Sequence, residues 1–230
     1  MPIGYYSTNR YLKDVPGITP FSEKVSFKEA LIAGQAPDEG LFVPDAIPQL
    51  AMKDIVALRD QPYWQAARLV ANAFLLDEFS ADVIDAVVKD AYNYPVPLEA
   101  VYPRAFVMRL DQGPTASFKD FAARMMARLM SHCRPKGERL NILVATSGDT
   151  GSAVGEAYKG VLGIDVTILY PAGEVSLMQK KQLDTIGGNV RALYVDGKFD
   201  DCQNLVKEAF ADEELCRFNL SSANSINFGR

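Results

Sequence analysis

LNILVATSGDTGSAVGEAYKG, residues 140–160, decides the fold. It opens on a nearly continuous apolar run, passes through a polar turn bracketed by Gly148 and Gly151, and continues at helical spacing. That is a strand, a tight loop and a helix, the first half of a parallel crossover unit. The runs VTILYP (166–171) and ALYVD (192–196) have the same character, expected of strands covered on both faces. Working outward, strands are predicted at 106–110, 140–145, 165–170, 190–195 and 217–220, with helices at 118–133, 152–159, 175–186 and 199–210. The alternation predicts an open parallel sheet with right-handed crossovers and helices on both faces. Such sheets bind ligands at the carboxyl ends of their strands, which directs attention to loops 111–117, 146–151 and 221–227.

The first hundred residues read differently, as mostly helical. Helices are predicted at 27–33 after Ser26, at 50–58, at 63–79 and at 81–93 after Ser80. In the last of these, Ile84, Val87, Val88 and Ala91 recur as one apolar stripe. A short extended piece, 41–43, follows the turn signal Asp38-Glu39-Gly40. YNYPVPLEAVYP, residues 92–103, carries three prolines among apolar residues and marks a boundary between units.

Composition narrows the function classes. The 230 residues are 48% hydrophobic and 23% charged with a net charge of −5, a globular mixture without a basic footprint for nucleic acid or an anionic membrane surface. No apolar run reaches the roughly 18 residues of a membrane span, and the start has no signal-peptide core. Cys133, Cys202 and Cys216 form no CxxC pair, which favours a reducing compartment and points to the cytoplasm. His132 is the only histidine, so a two-histidine zinc site is excluded, and its plain reading is a residue near a helix C-terminus.

Three segments could carry chemistry. In DQGPTASFKDFAARMMARLM, 111–130, Ser117 is a candidate N-cap with Asp120 three residues on, placing Lys119 in the first helical turn. An ammonium there is disfavoured by only about 0.3 to 1 kcal/mol. Burial can lower a lysine's pKa by about 3 to 5, so desolvation by Phe118 and Phe121 would have to produce most of any neutral, nucleophilic amine. The plain alternative leaves Lys119 in water while Phe118, Phe121, Ala122, Met125, Met126 and Leu129 form core. In the second segment, Thr146, Ser147 and Thr150 offer hydroxyls beside the free N–H groups of a helix start, a site for a carboxylate or phosphate. Neither GxGxxG nor GK[ST] is present, and a plain strand-to-helix connection is the alternative. The third, SSANSINFGR (221–230), brings Asn224, Ser225 and Asn227 to the ligand edge, with Arg230 able to fork onto phosphate; helix capping by Asn224 is the alternative.

Taken together, GPTASFKDFAAR (113–124), ATSGDTGSAV (145–154), NSINFGR (224–230) and SFKEALIAGQAPDEGLFVPDAIP (26–48) resemble the pyridoxal-phosphate enzymes of the tryptophan-synthase fold type, and within them the threonine synthases. The resemblance implies a partial fold type II architecture: a helical domain 1–97, the first part of the cofactor domain with its lysine at 98–139, a small parallel α/β domain 140–222, and a return toward the cofactor domain at 223–230. It implies pyridoxal 5'-phosphate as cofactor, bonded through Lys119, with Phe118 and Asp149 beside it. Thr146, Ser147, Gly148, Asp149 and Thr150 would bind the substrate, O-phospho-L-homoserine, and Asn224, Ser225 and Arg230 its phosphate. Related sulfhydrylases carry Asn where this chain has Asp149, and a carboxylate cannot donate to a phenolate oxygen, so that role does not transfer. The family's cofactor-phosphate loop lies after NSIN, so an amino-terminal fragment is expected. A serine/threonine dehydratase or ammonia-lyase of the same fold is the second enzyme reading, and a non-catalytic module binding an anionic metabolite is the reading from another class.

Overall fold

The computed structural model describes residues 2–135 and 137–223. These form two compact units, one ending at Pro95 and one beginning at Val96.

In the first unit, strand β1 (Tyr5–Ser7) precedes helix α1 (Phe27–Ala33) and pairs antiparallel with β2 (Phe42–Pro44), Tyr5 opposite Pro44. The start of α1 is closed by a capping box: Ser26 Oγ accepts from Glu29 N, and the Glu29 carboxylate accepts from Ser26 N at 2.7 Å. Helices α2 (Met52–Val56), α3 (Tyr63–Leu75) and α4 (Ala81–Ala91) follow. The expected stripe of α4 is buried, and α4 packs on α3. The helix expected at 50–58 shortens to α2, whose cap position, Ala51, supplies no side-chain hydrogen bond and which buries none of its residues. Strand β1 was not predicted. Tyr5 is fully buried, its ring edge-to-face with Phe27, and Phe27 in turn with Phe79.

The second unit opens with an antiparallel pair, β3 (Leu98–Tyr102) and β4 (Ala105–Met108). This corrects the expectation that 106–110 joins a parallel sheet. Only Pro103 and Arg104 separate the strands, with Arg104 at φ 65, and a two-residue connection can join only antiparallel neighbours. Helix α5 (Lys119–Cys133) then leads into β5 (Leu140–Ala145), α6 (Asp149–Tyr158), β6 (Ile164–Pro171), α7 (Leu177–Asp184), β7 (Val190–Val195), α8 (Phe199–Ala211), α9 (Glu213–Cys216) and β8 (Leu220–Ser221).

The sheet runs β7-β6-β5-β8, every pairing parallel. Right-handed crossovers from β5 to β6 to β7 put α6 and α7 on one face. The return from β7 to β8 carries α8 across the other face, where it packs on β5 and β6. The chain's direction of travel across the sheet therefore reverses beside β5, the usual place for a ligand crevice in such sheets. Asn189 ties the layer together: its amide donates to the carbonyls of Tyr158 (2.9 Å) and Ile164 (2.6 Å), and its oxygen accepts from Gly160 N at 2.7 Å.

Two strand expectations need correction. β7 is an edge strand with Leu193 and Tyr194 exposed, so its apolar run is not covered on both faces. The last strand begins at Leu220, not residue 217, because Asp212 Oδ1 caps α9 through Glu214 N and Leu215 N and Asn219 turns the chain at φ 52. β8 then meets β5 through Asn141 opposite Leu220 and Ile142 opposite Ser221.

Candidate active site

Lys119 is the first residue of α5 and is half-buried. The turn before it is pinned from both sides. Ser117, buried, accepts from Lys119 N at 3.2 Å, while Asp120, 1% exposed, reaches back to accept from Thr115 N (2.9 Å) and Thr115 Oγ1 (2.7 Å). Between these anchors Ala116 is held at φ 56, a left-handed conformation costing a β-carbon-bearing residue of order 1 kcal/mol. The helix is therefore entered through a strained turn that three polar side chains over-determine. The N-cap position falls on Phe118, without a side-chain cap, so Ser117 lies one residue before the cap it was expected to form, and Asp120 holds Thr115 instead of completing a box with Ser117. With Asp120 and Arg124 turned inward, the buried stripe is Ala123, Met126, Ala127, Leu129 and Met130, not the set running from Phe118. Phe118 is 62% exposed, with Lys119 Nζ 5.6 Å from its ring centroid, so it does not wall the amine off from water as expected. Among the described residues no carboxylate pairs with Lys119.

The 146–151 loop leaves the carboxyl end of β5. Thr146 is buried, and its Oγ1 accepts two backbone N–H groups, Gly148 at 3.0 Å and Gly151 at 2.8 Å. Both acceptor positions of its oxygen fold the loop, and the O–H remains as a donor. Gly148 sits at φ 139, and a β-carbon there would fall 2.3 to 2.7 Å from the Gln179 side-chain amide. Ser147 and Asp149 are exposed. Asp149 and Thr150 occupy the first two positions of α6, where backbone N–H groups have no carbonyl one turn back. These are the donors the loop can offer an anion, joined by the hydroxyls of Ser147 and Thr150.

Topology brings the two features to one edge. Six residues separate the end of α5 from β5, and five separate the end of α6 from β6, so both C-termini lie at the amino ends of the parallel strands. Arg128 Nη1 donates to the Ala157 carbonyl at 3.1 Å and Tyr158 Oη to Met130 Sδ at 2.9 Å, which sets the helices side by side in matching register. Their N-termini therefore share the carboxyl edge, Lys119 on one and Asp149 on the other.

Comparison with known proteins gives the family. Residues 19–92 match the family described as threonine synthase N terminus, and residues 95–228 match the family described as pyridoxal-phosphate dependent enzyme. The chain belongs to the pyridoxal-phosphate-dependent enzymes. It is 43% identical to the threonine synthase of Haemophilus influenzae over 90% of its own length and 48% of that protein, and 39% identical to that of Escherichia coli over 91% and 49%. Among solved structures, a PLP-bound threonine synthase from Brucella melitensis superposes with a TM-score of 0.88 at 39% identity, covering 99% of this chain and 48% of that one. The yeast threonine synthase gives 0.83 at 30% identity, covering 99% and 47%. The chain thus spans about half the length of these relatives.

For a pyridoxal-phosphate-dependent enzyme, the described residues fit the cofactor in donor type: a primary amine without an ion-pair partner, and open N–H groups on the same edge. Asn224, Ser225 and Arg230, expected to bind phosphate, lie outside the described residues. Gln179 was not singled out from the sequence, although Ser176-x-x-Gln179 is a capping-box signature that could have drawn attention to it. Its Nε2 donates to Asp149 Oδ1 at 2.7 Å. The role of Thr146 is open to test. Thr146→Val leaves two loop N–H groups without an acceptor and is expected to cost about 3 kcal/mol in urea unfolding, whereas Thr146→Ser keeps the oxygen and recovers most of it. Equal loss in both variants would point to the methyl group instead.

Proposed function

We propose that this chain carries the lysine and the substrate-side loop of a threonine synthase, converting O-phospho-L-homoserine and water into L-threonine and phosphate. The observation that carries the reading is the common edge: a primary amine at the first residue of α5 beside the N–H groups that open α6. When bound, pyridoxal phosphate supplies an electron sink for the substrate's Cα. Lys119 provides the amine that holds it. Once the substrate amine takes that place, Lys119 would be free to accept protons from Cα and Cβ and to return them at Cγ and Cα. The N–H groups of Asp149 and Thr150, with the hydroxyls of Ser147 and Thr150, would orient the substrate carboxylate, while Thr146 and Gly148 shape the loop. Phosphate leaves from Cγ, and the hydroxyl of the added water ends on Cβ. Asn224, Ser225 and Arg230 would serve the departing phosphate. The reading also carries the division at 97–98, 139–140 and 222–223 and a cytoplasmic location, the latter supported by three cysteines that form no CxxC pair.

The test is product analysis. Full-length protein supplied with pyridoxal phosphate should release one inorganic phosphate from O-phospho-L-homoserine for each L-threonine formed. Formation of a 2-keto acid from serine or threonine without phosphate release would make it a dehydratase instead.

A further inference from the structure

A cavity of about 360 Å³ opens in the first unit between the turn that follows β1 and strand β2, at the small end of the roughly 300 to 1,000 Å³ typical of ligand sites. Its wall combines Tyr6, Arg10 and Ser22 with Val43, Pro44 and Asp45. Arg10 is half-buried and held in place: Nη1 donates to the Ser7 carbonyl at 2.8 Å, and the guanidinium carbon lies 5.3 Å from the Tyr6 ring centroid and 4.5 Å from that of Tyr11. Among the described residues no carboxylate pairs with it. The acid in the same wall is already engaged, since Asp45 Oδ2 is ion-paired with Lys24 and Oδ1 accepts from Gly4 N at 3.1 Å. The bare backbone of Gly4 lets the Lys24 chain reach Asp45, because a β-carbon there would collide with its methylenes. The cavity wall thus carries one matched pair of charges and one fixed, uncompensated guanidinium. Fixing an arginine costs rotamer entropy, and a cation–π contact with a ring as exposed as Tyr11 returns only part of it.

We propose that this cavity binds a small organic monocarboxylate, its carboxylate forked onto Arg10 and its apolar body against Tyr6, Val43 and Pro44. A guanidinium stacked on a ring still presents its N–H edge, the geometry that takes a carboxylate through two parallel hydrogen bonds. One uncompensated positive charge matches one negative charge on the ligand, and the Asp45 carboxylate in the same wall selects against a ligand carrying more. The site lies wholly within the first unit and does not depend on the role of Lys119.

The probe is benzoate, titrated by calorimetry into the full-length protein carrying pyridoxal phosphate. Binding should be saturable, and Arg10→Gln should weaken it at least about tenfold, the effect of losing charge-assisted hydrogen bonds. Benzyl alcohol, of similar size but uncharged, should bind more weakly by a similar factor. Arg10→Lys keeps the charge but not the fork, so its affinity should fall between those of the parent and Arg10→Gln; with a thermal midpoint like that of the parent, it carries the test even where Arg10→Gln disturbs the turn. Benzoate affinity should be unchanged in Lys119→Ala, which separates this cavity from the edge that bears the lysine. Absence of saturable binding, parental affinity in both Arg10 variants, or loss of binding in Lys119→Ala overturns the proposal. Inorganic phosphate displacing benzoate at equal concentration overturns it as well, because the cavity would then take anions without regard to their charge or body. None of these outcomes bears on phosphate release from O-phospho-L-homoserine, so this inference and the proposed activity fail separately.

Discussion

Lys119→Ala should reduce turnover of the full-length protein by about 10^4-fold or more, while its thermal midpoint stays close to that of the parent. The loss follows from removing one group with two duties, covalent attachment of the cofactor and proton transfer at Cα, Cβ and Cγ, the second alone contributing about 10^2 to 10^4-fold. The small structural effect follows from position. Lys119 is the first residue of α5, half-buried, with no ion pair among the described residues and only the face of an exposed Phe118 near its Nζ. Lys119→Arg sharpens the result, because it keeps the charge and length but cannot condense with an aldehyde. Steady-state assay together with borohydride reduction and peptide mapping checks both claims. A label recovered on another lysine, or an arginine variant with parental activity, would refute the assignment.

Asp38→Ala is expected to destabilise the first unit by about 3 to 5 kcal/mol. Asp38 is 4% exposed, and its carboxylate accepts from Ser7 Oγ at 2.6 Å, Phe21 N at 2.8 Å and Gly40 N at 3.0 Å. It thereby ties β1 to the segment before α1 and to the turn before β2, and alanine would strand all three donors. Burial by itself pushes this carboxyl's pKa up, but the hydrogen bonds from Ser7, Phe21 and Gly40 outweigh it and hold it below the usual aspartate value. A lowered folded-state pKa means the stabilisation is complete above the unfolded-state value of about 3.9 and is lost as pH falls through the folded-state value. Urea unfolding of the parent and of Asp38→Asn between pH 3 and 7 measures this. The parent should lose stability toward the acid end, and the gap between the two proteins should narrow there. A gap independent of pH would show that the charge contributes nothing.

These two residues also show what pattern reading reaches. The hydroxyl-rich loop after β5 and the lysine opening α5 are local features, spelled out in 140–160 and 113–124, and the helices came with their caps in sequence: Ser26 with Glu29, and Ser80 before the stripe of α4. Asp38 reads locally as a turn residue, and in the structure it is the buried hub of three chain segments. Gln179 likewise reads as part of a cap, while its second hydrogen bond reaches 30 residues back along the chain. The pair β3 and β4 was hidden because three prolines in 92–103 read as a boundary, and the apolar run of β7 gave no sign that it would lie at an edge.

The difference has a physical cause. Periodicity, caps and turn chemistry depend on neighbours within about four residues, so the alternation of strands and helices, the parallel crossovers and the amine at a helix start were all determined by the sequence itself. Strand order, the antiparallel hairpin and the partners of Asp38, Thr115 and Asp149 depend on donors and acceptors brought together only when apolar faces are buried. Tertiary packing alone decided which of the exposed polar groups would be held still.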